Sequence, residues 1–477
     1  MRASDRPAGY LSDTTYPDRF HRELSPSWLS YAGVHGGAPP RQLDGPFTYL
    51  DLGCGFAHST VVNAGAYPHA EFHACDFNPL HIEAARRHAA RLGVENIHFH
   101  EALFEDLLER DLPDFDFIVL HGIYSWVSPE VCRTIQRIIA KKLKPGGLAY
   151  ASYNCLPGWS AEIPLRRLLL ELADQESGNS EQRASAALGQ LQRLSNPSFR
   201  YFRDNPAVLA AVDSFTKEPA NYLAHEFLND TWTLYYSVDV ADDMARAGAT
   251  YLASATLADN HPVLLIDKGA AEAIAKLPSA RLRQLALDFA VNQRFRRDVF
   301  IKGPPPARSP AEAIRNLDDV AIGCITELEQ IGSQAIIPRG KMTFQDAFIR
   351  DLRELMKHGS LRLGDIVARL SGPGRNAVEI RQNLVFLVAA GTLTPFARAG
   401  RAPSGPAPRG AIRKTVDNAF RHIVATGAAA VVPCERLGGG VLVGPAEAER
   451  ALEWVAGSAP ERSRPSRLAR LGLLDPG

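Results

Sequence analysis

Between Phe47 and Asn154, short apolar runs alternate with longer segments in which apolar residues recur every three or four positions. The runs FTYLDL (Phe47 to Leu52), AEFHAC (Ala70 to Cys75), IHFH (Ile97 to His100), FDFIVLHG (Phe115 to Gly122) and GLAYASYN (Gly147 to Asn154) suit strands buried on one or both faces. The segments between them predict helices. Asn78-Pro79 opens one that runs to about Leu92 and stops at Gly93, and Ser128-Pro129 opens another that stops before Pro145-Gly146-Gly147. Alternation of this kind predicts an α/β, Rossmann-like core of five parallel strands with crossover helices.

After Trp159 the pattern changes. Ile163 to about Ala173 and Glu181 to about Leu194 are Leu-, Arg- and Glu-rich amphipathic helices, and we expect a helical insertion at about 176–218 within an open sheet. A strand is expected at Tyr222 to Asn229, a helix at Val240 to Ala247, another strand at Thr250 to Ala255 and a helix from Arg281 to about Phe300. The prolines of KGPPPARSP (Lys302 to Pro310) cannot continue that helix and mark a boundary. Beyond it, SLRLGDIVARL, a Gly-Pro-Gly turn and NAVEIRQNLVFLVAAGTLTPF predict helix, turn, helix and strand, an α+β winged-helix-like unit, followed by a flexible loop from Arg398 to Gly410. The expected division is an N-terminal lid at 1–45, a core at 46–175, insertion, remaining strands and regulatory region at 176–301, a linker at 302–312 and the winged-helix-like domain at 313–477.

The chemistry concentrates at strand ends. YLDLGCGFAHST places Gly53 and Gly55 between a strand and a helix start, where glycine allows a tight turn and close approach of backbone to a ligand, and the helix offers unpaired N–H groups. Asp76, 25 positions after Asp51, ends the second strand, where a carboxylate can accept from both hydroxyls of a ribose, and Phe77 and Asn78 follow it in the same site. Asp76 together with the acidic-x-Gly-x-Gly form of the loop favours S-adenosylmethionine over a dinucleotide. Asp51 itself either touches the ligand's amino group or orients the loop.

In an open parallel sheet the ligand crevice lies outside the carboxyl ends of the strands. LHGIYSWVSPE after strand four and SYNCLPGWSAEIPLRR after strand five therefore bring aromatic walls with few polar tips to one place, as methyl transfer to a desolvated nucleophile requires. Tyr124 and Tyr153 are candidates to orient or deprotonate an amine, Asn154 to accept from it, and Trp126 and Trp159 to wall the channel. His121 is either a strand-end histidine with a satisfied ring or a general base. No metal triad is spelled out, so no metal is expected.

Composition narrows the classes. The 477 residues suffice for two or three cores, and 53 basic against 53 acidic residues leave no net field to hold nucleic acid or anionic lipid. The six scattered cysteines include no C-x-x-C pair, which argues against a disulfide frame or zinc site. With neither a signal-peptide pattern at the N-terminus nor a run of ~20 apolar residues, a soluble, cytoplasmic protein is expected; a homodimer is among the assemblies the sequence permits.

These runs resemble class I S-adenosylmethionine methyltransferases that carry a methyltransferase regulatory domain, a family that includes bacterial lysine methyltransferases acting on outer-membrane proteins. The likeness rests on YLDLGCGFAHST, CDFNPLHIEAAR, FDFIVLHGIYSWVS, LKPGGLAYASYNCLPGW with PLRRLL, NYLAHEFLND and NQRFRRDVF, and covers most of 10–300. It implies that Gly53 and Gly55 cradle the methionine part, Asp76 the ribose, and Ala102, Leu103 and Phe104 the adenine, with His121 to Trp126 bordering the sulfonium. YPDRFHRELSP (Tyr16 to Pro26) resembles a lid, so Tyr16 is expected to close over the cofactor. Ala57 stands where relatives have a third glycine. A protein lysine is the acceptor this reading favours; a small-molecule O or N acceptor, and a non-catalytic DNA-associated or scaffold role for the C-terminal domain, are the alternatives.

Overall fold

The computed structural model describes residues 19–401, 412–460 and 463–474. Its largest sheet has seven strands: β1 (Thr48–Leu52), β2 (Glu71–Asp76), β3 (Ile97–Glu101), β4 (Phe115–Leu120), β5 (Leu143–Asn154), β6 (Ala249–Ser254) and β7 (Phe295–Lys302). They lie in the order β3-β2-β1-β4-β5-β7-β6. The first five are parallel, and β7 is antiparallel to both of its neighbours. The five predicted core strands are thus joined by β6, where a strand was expected at Thr250 to Ala255, and by β7, which runs against its neighbours.

Apolar side chains on both faces explain why the core strands read as near-continuous apolar runs. Tyr49, Phe72, Phe117 and Val119 face α1 (Pro26–Gly36), α2 (His58–Ala66) and α3 (Pro79–Leu92). Leu50, Leu52, Ile118 and Leu120 face α4 (Phe104–Leu108) and α5 (Pro129–Lys142). Helix α3 begins as predicted, with the Asn78 side chain accepting from Leu80 N–H and Pro79 in the first turn, and ends at a left-handed Gly93.

The helical insertion is wider than expected. It comprises α6 (Ile163–Asp174), α7 (Ser180–Leu194), α8 (Arg200–Asp204), α9 (Pro206–Phe215) and α10 (Ala220–Phe227), which share a core of their own around Leu169, Leu191, Val212, Leu223 and Phe227. The segment Tyr222 to Asn229 is therefore helical where a strand was expected. Its apolar residues pair as Leu223 with Phe227 and Ala224 with Leu228, a spacing of four that buries one helix face. After α11 (Ser237–Arg246), β6, α12 (Pro262–Leu265) and α13 (Lys268–Ala275), the helix expected over Arg281 to Phe300 is α14 (Ala280–Ala290) followed by β7. The charged residues of FRRDVFIK suggest a surface helix, yet Arg296 and Asp298 are buried in the sheet because each neutralises the other, with Asp288 as a third partner.

Beyond the proline segment, Ala321–Gly323 pairs with Thr394–Phe396 and Gly359–Arg362, and the last of these pairs with Gly400–Arg401. SLRLGDIVARL starts as strand and becomes helix only at Leu363, and a second helix spans Ala377–Ala389. Most of the expected flexible loop, 402–411, lies outside the described residues, as does Tyr16. The chain then returns to the first core. The hairpin Ala430–Cys434 with Gly439–Val443 packs on α2, Asn418 donates to Leu92 O at the end of α3, and Ser27 of α1 donates to Gly438 O. One apolar cluster runs from β1 and α2 through to Trp454 and Leu471. Among the described residues no helix is long and apolar enough to cross a membrane.

Candidate active site

A cavity of about 340 Å³ opens at the carboxyl ends of β1, β2 and β4, a size that suits a small-molecule ligand. Its floor is the turn after β1. Gly53 and Cys54 both donate to Cys75 O at the end of β2, at 2.8 and 2.9 Å, so the turn is pinned to the neighbouring strand. Gly53 and Gly55 take left-handed φ of +75° and +54°. A side chain at Gly53 would stand 2.3 Å from Ile123, whereas at Gly55 it would meet nothing within 4 Å. The backbone at Gly55 is thus bare towards the cavity, as a cradle for a ligand must be. Ala57 keeps the loop's course at φ +51°; the left-handed form costs about 1–2 kcal/mol, partly offset by its buried methyl, worth about 0.8 kcal/mol.

Asp76 holds the other side of the turn. Its carboxylate accepts from Gly55 N–H and Asn78 N–H, each at 2.9 Å, and lies 3.2 Å from His81 Nδ1. Asp51 is buried and accepts from the Thr60 hydroxyl at the start of α2. Burial pushes its carboxyl up to about 7, the Thr60 bond pulls it down and the Asp76 charge pushes it further up. The sequence left two roles open for Asp51, and the structure has it both tying the loop to α2 and lining the cavity.

The remaining wall is aromatic and apolar. Phe77, Leu103, Phe104, His121 and Trp126 line the cavity, and Leu103 is 45% exposed there. The His121 ring lies against that of His21, tilted by 35° with centroids 4.0 Å apart, and bonds the Tyr150 hydroxyl through Nδ1 at 2.8 Å. Burial holds both imidazoles below the ordinary histidine range, and Arg297 adds to the effect at each. At neutral pH they are uncharged, so they do not repel a sulfonium. Ile123 lies within the expected stretch His121 to Trp126; sequence reasoning did not single out Arg19 and His21, which come to the cavity from the segment Tyr16 to Pro26, or Phe56 of the glycine loop. It also missed Tyr150, which lies mid-strand and shows only in space as the partner of His121.

Of the residues predicted for the acceptor side, Trp126 joins this group, and Tyr124, Tyr153, Asn154 and Trp159 do not. Tyr124 donates to Asp243 at 2.6 Å and accepts from Gln136 at 3.0 Å; Tyr153 donates to Asp298 at 2.5 Å. Both are fully buried, and burial with the adjacent carboxylate pushes both phenols up. Both hydroxyls are thus held by carboxylates 119 and 145 residues away, partners that the sequence reading did not foresee. Asn78 caps α3 outside the cavity lining, and Trp159 sits under Arg294 at 4.1 Å and against Trp232. Asn154 is buried at the end of β5, 3.4 Å from Glu226 on α10. Away from the cavity, Glu71, His73 and His98 bring three ligand atoms within 4.8 Å at the sheet edge, a geometry able to hold a metal ion. There, His73 is bonded to Glu71 and His100 at 2.9 Å each.

The glycine cradle, the strand-end carboxylate, the uncharged imidazoles and the seven-stranded order define an S-adenosylmethionine-dependent methyltransferase. Residues 44–226 match the family described as "Methyltransferase domain", and 219–302 match the "Predicted methyltransferase regulatory domain". The chain belongs to the methyltransferases that carry this regulatory domain. An uncharacterized protein of Synechocystis is 33% identical over 81% of this chain and 76% of its own, and an uncharacterized protein of Rickettsia prowazekii is 26% identical over 52% and 44%. Among solved structures, PKMT2 from Rickettsia typhi in complex with AdoHcy shares the fold at a TM-score of 0.68 and 19% identity, over 94% of this chain and 90% of that one.

Proposed function

We propose that the protein transfers methyl groups from S-adenosylmethionine to lysine side chains of a protein in the cytoplasm. The observation that carries this reading is the amount of structure built beyond the cofactor core. A five-helix layer (163–227) covers the end of β5, and a large C-terminal region shares the main core; a small acceptor needs neither. PKMT2, named as a protein lysine methyltransferase, matches across this whole arrangement and not only the core. On this reading 46–175 is the cofactor-binding core, 1–45 a lid, 176–301 the insertion and regulatory region, and 313–477, beyond the 302–312 linker, a winged-helix-like domain that helps seat the acceptor.

When bound, the cofactor supplies a methyl group on a positively charged sulfur. The chain's residues do the rest. Gly53 and Gly55 would take the methionine part, Asp76 the ribose, and Leu103 and Phe104 the adenine, while the uncharged His21 and His121 tolerate the sulfonium. Incubation with methyl-labelled cofactor and a lysate split by size tests the reading. Label in protein, recovered as methyl-lysine after hydrolysis, supports it; label confined to small molecules overturns it.

A further inference from the structure

A buried polar cluster lies outside the cavity, at the end of β5. Where the helical layer meets the end of β5, the Glu226 carboxylate is buried against Asn154, whose amide donates to it at 3.4 Å. Two arginines lie near, but both are engaged elsewhere. Arg294 pairs with Glu162 and stacks on Trp159, and Arg166 stacks on Trp232 at 4.8 Å and donates to Asn229 O at 2.6 Å. Among the described residues Glu226 has no ion pair within 4 Å, an arrangement that costs several kcal/mol for a buried carboxylate.

A second observation points the same way. Trp159 Nε1, Trp232 Nε1, Arg166 Nε and Glu162 Oε2 are buried in the same cluster without a hydrogen-bond partner, although buried polar groups in folded proteins nearly always have one. Such a cluster has hydrogen-bonding capacity left over for a polar ligand. It also adjoins the cavity. Asn154 N–H donates to Ser125 Oγ at 2.8 Å, Thr233 N–H donates to Ser125 O, and Trp126, the next residue, lines the cavity. Phe295, paired across the sheet with Asn154, meets the His121 ring at 6.1 Å.

We propose that Glu226 and Asn154 form the receptor for a primary amine of the methyl acceptor, with Glu226 accepting the proton of its ammonium group. This deepens the reading above and rests on it. Glu226 is pushed up to about 7 by burial, against the opposing pull of Asn154, Arg294, Arg166 and Tyr222. Glu162 beside Arg294 and Asp230 near Arg166 complete the charged surroundings. A base that titrates there is poised for neutral pH. The balance closes: the ammonium proton passes to the Glu226 carboxylate and the freed nitrogen lone pair forms the N–C bond. The methyl–sulfur bond breaks with its electron pair left on sulfur, and the carboxylic acid then loses its proton to water.

The test uses the full chain saturated with S-adenosylhomocysteine at pH 8, titrated with Nα-acetyl-lysine methylamide and with its norleucine counterpart, and followed by tryptophan fluorescence. The expected result is at least ten-fold tighter binding of the lysine amide by the wild type. That preference should vanish in Glu226→Gln and persist in part in Glu226→Asp, with unchanged S-adenosylhomocysteine affinity in both. Equal affinity of the two amides for the wild type, or full lysine preference in Glu226→Gln, overturns the proposal. Failure of the protein-acceptor reading is distinct: label stays in small molecules in the lysate assay while the amide preference remains.

Discussion

Asp76 accepts from the N–H groups of Gly55 and Asn78, so its loss disturbs the cradle as well as the ribose contact proposed for it. Asp76→Ala is expected to weaken S-adenosylhomocysteine binding by roughly 1.5–3 kcal/mol, the range for removing a charged acceptor; calorimetry showing unchanged affinity would take Asp76 out of the site. Gly55→Val separates binding from folding. Its Cβ meets no protein atom within 4 Å, and the left-handed backbone at φ +54° costs about 1–2 kcal/mol, small against a typical stability of 5–15 kcal/mol. The variant should stay folded and lose the cofactor, which far-UV dichroism alongside a binding titration checks. Glu226 carries a stability signature of its own. Its folded-state carboxyl titrates near 7, above an ordinary value of 4.5, so the stability contribution is fully present below about pH 4.5 and is lost as pH rises through 7, in all roughly 3 kcal/mol. Glu226→Gln should therefore melt higher than the wild type at pH 8, with the gap shrinking towards pH 5. Gly53, Gly55 and Asp76 were legible in the sequence because glycine loops and strand-end acids act through local backbone geometry. Glu226 was visible only as part of NYLAHEFLND, since its environment comes from helices and a strand up to 72 residues away.

At the scale of elements, β7 and α10 show where hydrophobic pattern fails. Helix α10 packs one face against the other helices of the insertion, and eight residues are too few for periodicity to separate helix from strand. Strand β7 carries buried Arg296 between Asp288 and Asp298, so its inward charges mimic a solvated surface. Arg296→Met should destabilise the protein by about 3–5 kcal/mol at pH 7, because two carboxylates then lose their counter-ion inside the sheet. The loss should be smaller at pH 5, because burial already pushes the Asp288 carboxyl up and its protonation relieves part of the unpaired charge, and thermal unfolding at the two pH values measures it. An equal loss at both would mean that the arginine acts through packing alone.

At the scale of the molecule, the apolar cluster that begins at β1 and α2 is completed by residues more than 350 positions later, among them Val432, Val441 and Trp454. A chain ending at Lys302 would leave the α2 and α3 face bare, and we expect it to bind a hydrophobic dye, melt well below the full chain and hold S-adenosylhomocysteine weakly. A truncated protein with the full chain's melting midpoint would show that the C-terminal region is merely attached. The strand-helix alternation, the glycine loop with Asp76 and the cofactor class could all be read from residues near one another in the chain, because strand burial, turn geometry and helix starts are local. Tertiary structure alone decided that β7 runs against its neighbours, that Tyr124 and Tyr153 are spent on Asp243 and Asp298, and that Asn154 meets Glu226. Each of those outcomes is a charge or hydrogen bond satisfied by a residue remote in sequence, and no local pattern encodes which remote partner a buried polar group will find.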